Sequence, residues 1–116
     1  MKNNNRNEIK QSVINDIKIW INDNLDQNLK IEIVAKRAGY TNWHFQRMFK
    51  NANGVSLGSY IRKLKLFLSA KSLRTTNKKI LDISIQYGYS SQQTFCRIFK
   101  KHFNETPTEY RKRISK

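Results

Sequence analysis

Two short runs of the chain carry side chains suited to reading the edges of another molecule. The first is Trp43, Gln46, Arg47 and Lys50. The second is Gln93, Cys96, Arg97 and Lys100, with Gln92 and Thr94 in the turn that opens it. At about 100° per residue each set falls on one side of a helix. The opposite side is an apolar stripe: Phe45, Met48, Phe49 and Ala52 in the first run, Phe95, Ile98 and Phe99 in the second. An Arg guanidinium offers a two-pronged donor that matches guanine O6 and N7. A Gln amide offers the donor and acceptor that adenine N6 and N7 require, and a Thr methyl or an indole packs on a thymine methyl. One such helix face is adequately explained as solvated surface. Two faces matched in their Arg and Lys positions are not. Trp43 lies opposite Phe45 and Phe49, so it is expected outside the core, where an exposed Trp marks a contact surface.

The charge supports the same chemistry. Lys and Arg outnumber Asp and Glu by 23 to 8, a formal charge of +15, which points to a polyanionic partner. The imbalance is regional. Five of the eight acids lie in the first 32 residues, and none lies between Ile33 and Leu81, a stretch with eleven bases. Catalysis has little to work with. Two histidines, one cysteine and eight carboxylates form no cluster. Cys96 and His102 face different ways on a helix, and His44 has no metal-ligand companions, so no catalytic residue, metal or cofactor is expected. The lone Cys96 excludes an internal disulfide and fits a reducing compartment. It would be a redox sensor only if Arg97 lowers its thiol pKa. No apolar run reaches the roughly 18 residues of a membrane span, and MKNNNRNEIK resembles no secretory leader.

The elements that position these residues read as helices throughout. Gly and Pro are scarce, four and one, and no segment alternates as a strand does. Ile9, Val13, Ile14, Ile17, Trp20 and Ile21 make an amphipathic helix over 8 to about 24. Ile31, Val34, Ala35 and Ala38 make a second, ending before Gly39. Thr41 caps a third over 42–53, closed by Asn53-Gly54. Ser56 caps a fourth from Leu57 to about Leu73, and 74–79 reads as a polar loop. Ile80 to Tyr87 is a fifth helix, ending before Gly88. Ser90 caps a sixth over about 91–103. Thr106-Pro107-Thr108-Glu109 is a capping box with Pro at the first helical position, opening a seventh through about Ser115. The fold class is all-α with seven helices. An N-terminal helix-turn-helix lobe spans 1–56, a linker helix 57–73, and a C-terminal helix-turn-helix lobe 74–116.

The second half repeats the first. Ala38-Gly39-Tyr40-Thr41 matches Tyr87-Gly88-Tyr89-Ser90 at an offset of 49. Phe45-Gln46-Arg47-Met48-Phe49-Lys50 matches Phe95-Cys96-Arg97-Ile98-Phe99-Lys100 at 50. One residue is therefore inserted in the second turn. Each copy runs short helix, Gly turn, capped helix, the helix-turn-helix order. The 17-residue linker helix is roughly 26 Å long. With its flanking elements it could set the two second helices about one duplex turn apart, near 34 Å. Phosphate contacts should come from helix N-termini and nearby bases: Asn42, then Gly58, Ser59 and Arg62, then Lys79 and Ile80, with Lys50 and Lys100 beside the reading faces.

Residues 38–50, Ser56-Leu57-Gly58-Ser59-Tyr60-Ile61-Arg62, Tyr87 to Phe95 with Arg97 and Phe99-Lys100-Lys101, and the ending Thr106-Pro107 and Tyr110-Arg111 resemble the AraC/XylS family of bacterial transcription regulators, in its short MarA/SoxS/Rob-like subgroup. The resemblance covers about residues 12–114. It implies a homeodomain-like tandem that acts as a monomeric activator on an asymmetric promoter element of double-stranded DNA. It also implies recruitment of RNA polymerase, stress or multidrug-resistance genes as targets, and a bacterial, cytoplasmic, nucleoid-associated location. Base reading is implied for Trp43, Gln46, Arg47, Gln92, Gln93, Thr94 and Arg97. Cys96 stands where relatives often carry Thr, and Asn104 near where many have Gly. With seven helices occupying the chain, no effector-binding domain is expected, and control through protein abundance is implied.

Two other readings compete. A basic balance alone would suit a non-specific architectural protein or an RNA binder, although no aromatic-bearing sheet for single-stranded RNA is expected. Membrane-surface binding fits poorly, because the polar face of the first helix mixes signs through Glu8, Asp16 and Asp23.

Overall fold

A computed structural model describes residues 2–25 and 29–115, and among these seven helices account for the ordered elements. They are α1 (Lys2–Asp23), α2 (Ile31–Ala38), α3 (Asn42–Asn53), α4 (Leu57–Thr75), α5 (Ile80–Gln86), α6 (Gln92–Phe103) and α7 (Pro107–Ile114). The described residues divide into two units. One comprises the chain to Leu25 together with Leu29–Arg62, and the other begins at Lys63. Helix α4 contributes its first turns to the first unit and the remainder to the second.

In the first unit α1, α2 and α3 pack on one another. The buried set is Ile14, Ile17, Ile21 and Leu25 from α1 and its exit, Val34 and Ala35 from α2, Phe45, Met48 and Phe49 from α3, and Leu57 and Ile61 from α4. Helix α1 begins at Lys2, six residues before the start at residue 8 that spacing predicts. Ile9, counted in its apolar stripe from spacing, is exposed, so the buried stripe begins only at Ile14. Tyr40 leans on Phe45, Phe45 on Phe49, and Phe49 meets the edge of Tyr60 at 5.3 Å between ring centres.

The second unit buries Leu66, Ala70 and Leu73 of α4 with Ile83, Phe95, Phe99 and Tyr110, and Ile80, Tyr87, Tyr89 and Phe103 pack at its margin. Its aromatic centre repeats the first: Tyr89 on Phe95 and Phe95 on Phe99, with Tyr110 at the edge of Phe99. Truncating a buried Phe of this kind costs about 3–5 kcal/mol. Helix α4 runs two residues past Leu73 because its end is closed from α7. Arg111 donates through Nε to the carbonyl of Leu73 and through Nη2 to that of Thr76, carbonyls that have no partner within the helix. Arg74 Nη1 donates to the Tyr110 hydroxyl at 2.6 Å. Local spacing gives no sign of these contacts, since the partners stand 35 or more residues apart.

The helix ends follow the capping chemistry. Thr41 accepts from the His44 amide, and Thr106 and Glu109 form the reciprocal box with Pro107 at the first helical position. Ser56 Oγ accepts from the Ser59 amide. The sixth helix departs from expectation. Its cap is Ser91, whose Oγ accepts from the Thr94 amide at 3.0 Å, and the helix starts at Gln92. Ser90 instead donates to the Thr94 hydroxyl. The caps of the two copies, Thr41 and Ser91, are thus 50 apart, whereas the turn residues Gly39 and Gly88 are 49 apart. The extra residue lies between Gly88 and Ser91. Helix α5 ends at Gln86 with Tyr87 as its cap, and α7 ends at Ile114, each one residue short of the expected end. Asn104 has φ 63° and donates its amide to Lys100 O, as Gly54, at φ 77°, does to Lys50 O. An Asn side chain tolerates this left-handed geometry better than most, so it serves where a Gly is otherwise favoured.

Candidate nucleic-acid interface

Each unit presents one capped helix after a left-handed turn, and the outward face of that helix carries the residues singled out by spacing. On α3, Trp43 is 66% exposed. Arg47, one turn later, lays its guanidinium over the indole at 4.8 Å from the ring centre. The cation is attracted by the negative face of the ring, so one surface feature holds the donor fork and an apolar plane together. Gln46 is half-buried, and its amide nitrogen donates to Asn42 Oδ1 at 2.6 Å. Lys50 and Asn42 are exposed.

On α6, Gln92, Gln93, Arg97 and Lys100 are exposed, while Thr94 and Cys96 are half-buried. The Thr94 hydroxyl accepts from both Ser90 and Ser91, which leaves its methyl as the apolar part. Burial pushes the Cys96 thiol upward from the ordinary range. That is opposite to the lowering by Arg97 that a redox sensor would need, so the thiolate is scarce at neutral pH.

Two residues assigned to the apolar stripes lie elsewhere. Ala52 is exposed, because it borders an open groove of about 670 Å³ between α1 and α3 rather than the core. Ile98 is 38% exposed, although its counterpart Met48 is buried. Phe95 and Phe99 alone make the buried stripe of α6.

The charge at the helix starts separates the helices into two groups. Helices α2, α5 and α7 carry Glu32, Asp82 and Glu109 in their first turns, whereas α1, α3, α4 and α6 carry no acid there. An acid in the first turn stabilises a helix by meeting its positive end. Leaving it out keeps that end available to an external anion. At the start of α4, Gly58 and Ser59 are half-buried and Arg62 is exposed. Arg62 Nη2 donates to Ser59 Oγ at 3.2 Å, and its guanidinium lies over Gly58, 3.1 Å from where a Cβ would stand. Glycine therefore makes room for the guanidinium to fold over the helix start. At α5, Lys79 occupies the cap position without a side-chain cap bond and Ile80 is half-buried against the core. Asp82 sits one turn on, a like charge to any phosphate there.

No group of three or more His, Cys, Asp or Glu side chains that could hold a metal occurs among the described residues. None of the described helices is long and apolar enough to cross a membrane. The residues that spacing missed are Lys10 and Gln11. They stand on α1 and line the groove that Trp43 and Arg47 also line. No local signal could have found them, since only the packing of α1 on α3 brings them there.

Paired helix-turn-helix units with basic, Arg- and Gln-bearing second helices define a sequence-specific DNA-binding regulator of transcription. Comparison with known proteins agrees. A family model described as a helix-turn-helix domain matches residues 34–113. Regulatory protein SoxS of Escherichia coli K12 is 47% identical over 104 residues, covering 90% of this chain and 97% of that protein. The probable transcription factor PqrA of Proteus vulgaris is 50% identical over 103 residues, covering 87% and 84%. Among solved structures, a transcriptional regulator with an AraC-type DNA-binding domain from Chromobacterium violaceum superposes with a TM-score of 0.83 at 26% identity, covering 91% of this chain and 95% of that one. The chain belongs to the AraC/XylS family, in its MarA/SoxS/Rob-like subgroup.

Proposed function

We propose that the protein is a transcription activator that binds promoter DNA as a monomer, with α3 and α6 entering two adjacent major grooves. Trp43, Gln46 and Arg47 read bases in one groove; Gln92, Gln93, Thr94, Cys96 and Arg97 read them in the other. Asn42, Lys50, Gly58, Ser59, Arg62, Lys79, Ile80 and Lys100 hold phosphates on either side. The observation that carries this reading is the duplicated exposed face. Arg47 and Lys50 recur as Arg97 and Lys100, each after a Ser or Thr cap and a left-handed turn, on helices whose first turns hold no acid. A purely electrostatic binder needs cations but has no need to repeat them in register. The likeness to SoxS, a regulatory protein, and to PqrA, a probable transcription factor, supports a role in regulating transcription; stress or multidrug-resistance genes as targets, RNA polymerase as a partner and a nucleoid-associated location in the bacterial cytoplasm belong to the same proposal, as the family resemblance implies.

Selection of preferred duplexes from a random pool tests the proposal. The expected product is a two-block motif whose blocks are about one helical turn, roughly 10 bp, apart. Its affinity should exceed that for random duplex by about 10³-fold or more at fixed salt. A pool that yields no enriched sequence, with equal affinity for all duplexes, would indicate an architectural binder and overturn the assignment.

A further inference from the structure

The groove between α1 and α3 is unusual in what lines it. Its α3 wall includes Trp43, Arg47 and Asn51, and its α1 wall is Lys10 and Gln11. No acid is among its lining residues. Gln11 donates its amide to Asn15 Oδ1 at 3.0 Å, which ties that side chain along α1. Lys10 is exposed and, among the described residues, enters no ion pair. Glu8, the nearest acid in sequence, is two residues away, a spacing that turns it to another face of the helix. The groove thus has a cation on each wall, and one of the two is the guanidinium placed on the base-reading face.

From this arrangement we infer that Lys10 is a DNA-contacting residue that grips a backbone phosphate flanking the base pairs read by Trp43 and Arg47. This rests on the assignment of α3 to a major groove. A helix lying there has sugar-phosphate strands at its margins, and side chains beside the base readers meet those strands. The groove is open, with about 670 Å³ of accessible space, and its acid-free, two-cation lining is complementary in charge to a sugar-phosphate strand. A Lys ammonium suits this task, since phosphate needs a point charge rather than a planar fork. Helix α1 then does more than complete the core of the first unit. Its buried stripe carries Ile14, Ile17 and Ile21, and Lys10, one turn before Ile14 on the same stripe, meets the groove in place of the core.

The test is Lys10→Ala in the full chain, with affinities measured across a salt series on a selected duplex and on random duplex. Releasing one phosphate contact should reduce the slope of log affinity against log salt by about 0.9. The same relation gives a loss of about five-fold near 0.15 M salt, fading towards 1 M, equal on both duplexes. Lys10→Arg should restore the slope. Helical content by circular dichroism should not change. An unchanged salt slope would overturn the inference, as would a changed base preference, which would place Lys10 on a base edge. Arg47→Ala on the same duplexes keeps the two ideas separate. If it removes base preference while Lys10→Ala leaves the slope intact, α3 still reads DNA and only the role of Lys10 fails. If Arg47→Ala leaves preference untouched, the assignment of α3 itself fails.

Discussion

The stacked pair on α3 gives a prediction whose size follows from geometry. Arg47 lies over the Trp43 ring at 4.8 Å, and the ring is mostly in water, so the attraction is worth about 0.5–1 kcal/mol. The same contact restricts the rotamers of a side chain that otherwise loses much freedom on binding. Arg47→Ala should cost about 1–3 kcal/mol on the preferred duplex if the guanidinium takes a guanine. Trp43→Ala should leave folding within about 0.5 kcal/mol, since the side chain is exposed, yet it should weaken specific binding. If the ring holds the guanidinium ready, part of its contribution passes through Arg47. A double-mutant cycle measured by binding titration at one salt concentration should therefore give a coupling of about 0.5–1 kcal/mol, a factor of roughly two to five. The parallel cycle of Trp43 with Arg97, which stands in the other unit, should be additive within about 0.5 kcal/mol. A coupling of zero between Trp43 and Arg47 would refute the idea that the ring positions the fork. Tighter binding by Trp43→Ala would show that the stack must break before DNA is read.

The caps, the acid limb and the thiol supply three more. Ser91→Ala should destabilise by about 1 kcal/mol, and Ser90→Ala by clearly less, because only Ser91 accepts from the helix amide; thermal denaturation of the two variants decides which is the cap. Hydrogen bonds from Thr106, first from its side chain and then from its backbone, hold the Glu109 carboxyl below the usual glutamate range. A group depressed in the folded state adds stability that is present above its unfolded pKa and lost as pH falls through the folded one. The melting temperature should therefore fall as pH drops below about 4.5, and Glu109→Gln should flatten that dependence. Because burial raises the Cys96 thiol, its alkylation by iodoacetamide at neutral pH should be slower than that of a free thiol. Rapid labelling there, or loss of DNA binding after mild peroxide, would contradict the placement.

Much of this protein is legible in its sequence because the signals are local. A capping box depends on four consecutive residues, so Thr106-Pro107 marks the start of α7 whatever packs against it. Helical phase depends only on spacing, so Trp43 and Arg47 could be set opposite Phe45 and Phe49. The repeat places Arg97 and Lys100 on α6 by analogy with α3. The duplicated turn announced its extra residue, but an offset of 49 or 50 fits a cap at either Ser90 or Ser91. Only the hydrogen bond to the Thr94 amide distinguishes them. What spacing could not decide is which neighbour covers a given face. Ala52 and Ile98 have the right phase for a core, yet burial requires something packed above them, and the exposure of each depends on residues distant in the chain. The same limit hid the closing of α4 by Arg111 and the arrival of Lys10 beside α3. Composition, caps and periodicity determined seven helices, two of them with matched Arg- and Lys-bearing faces. Tertiary packing decided which apolar side chains are dry and which cations share a groove, because those depend on contacts between residues far apart in sequence.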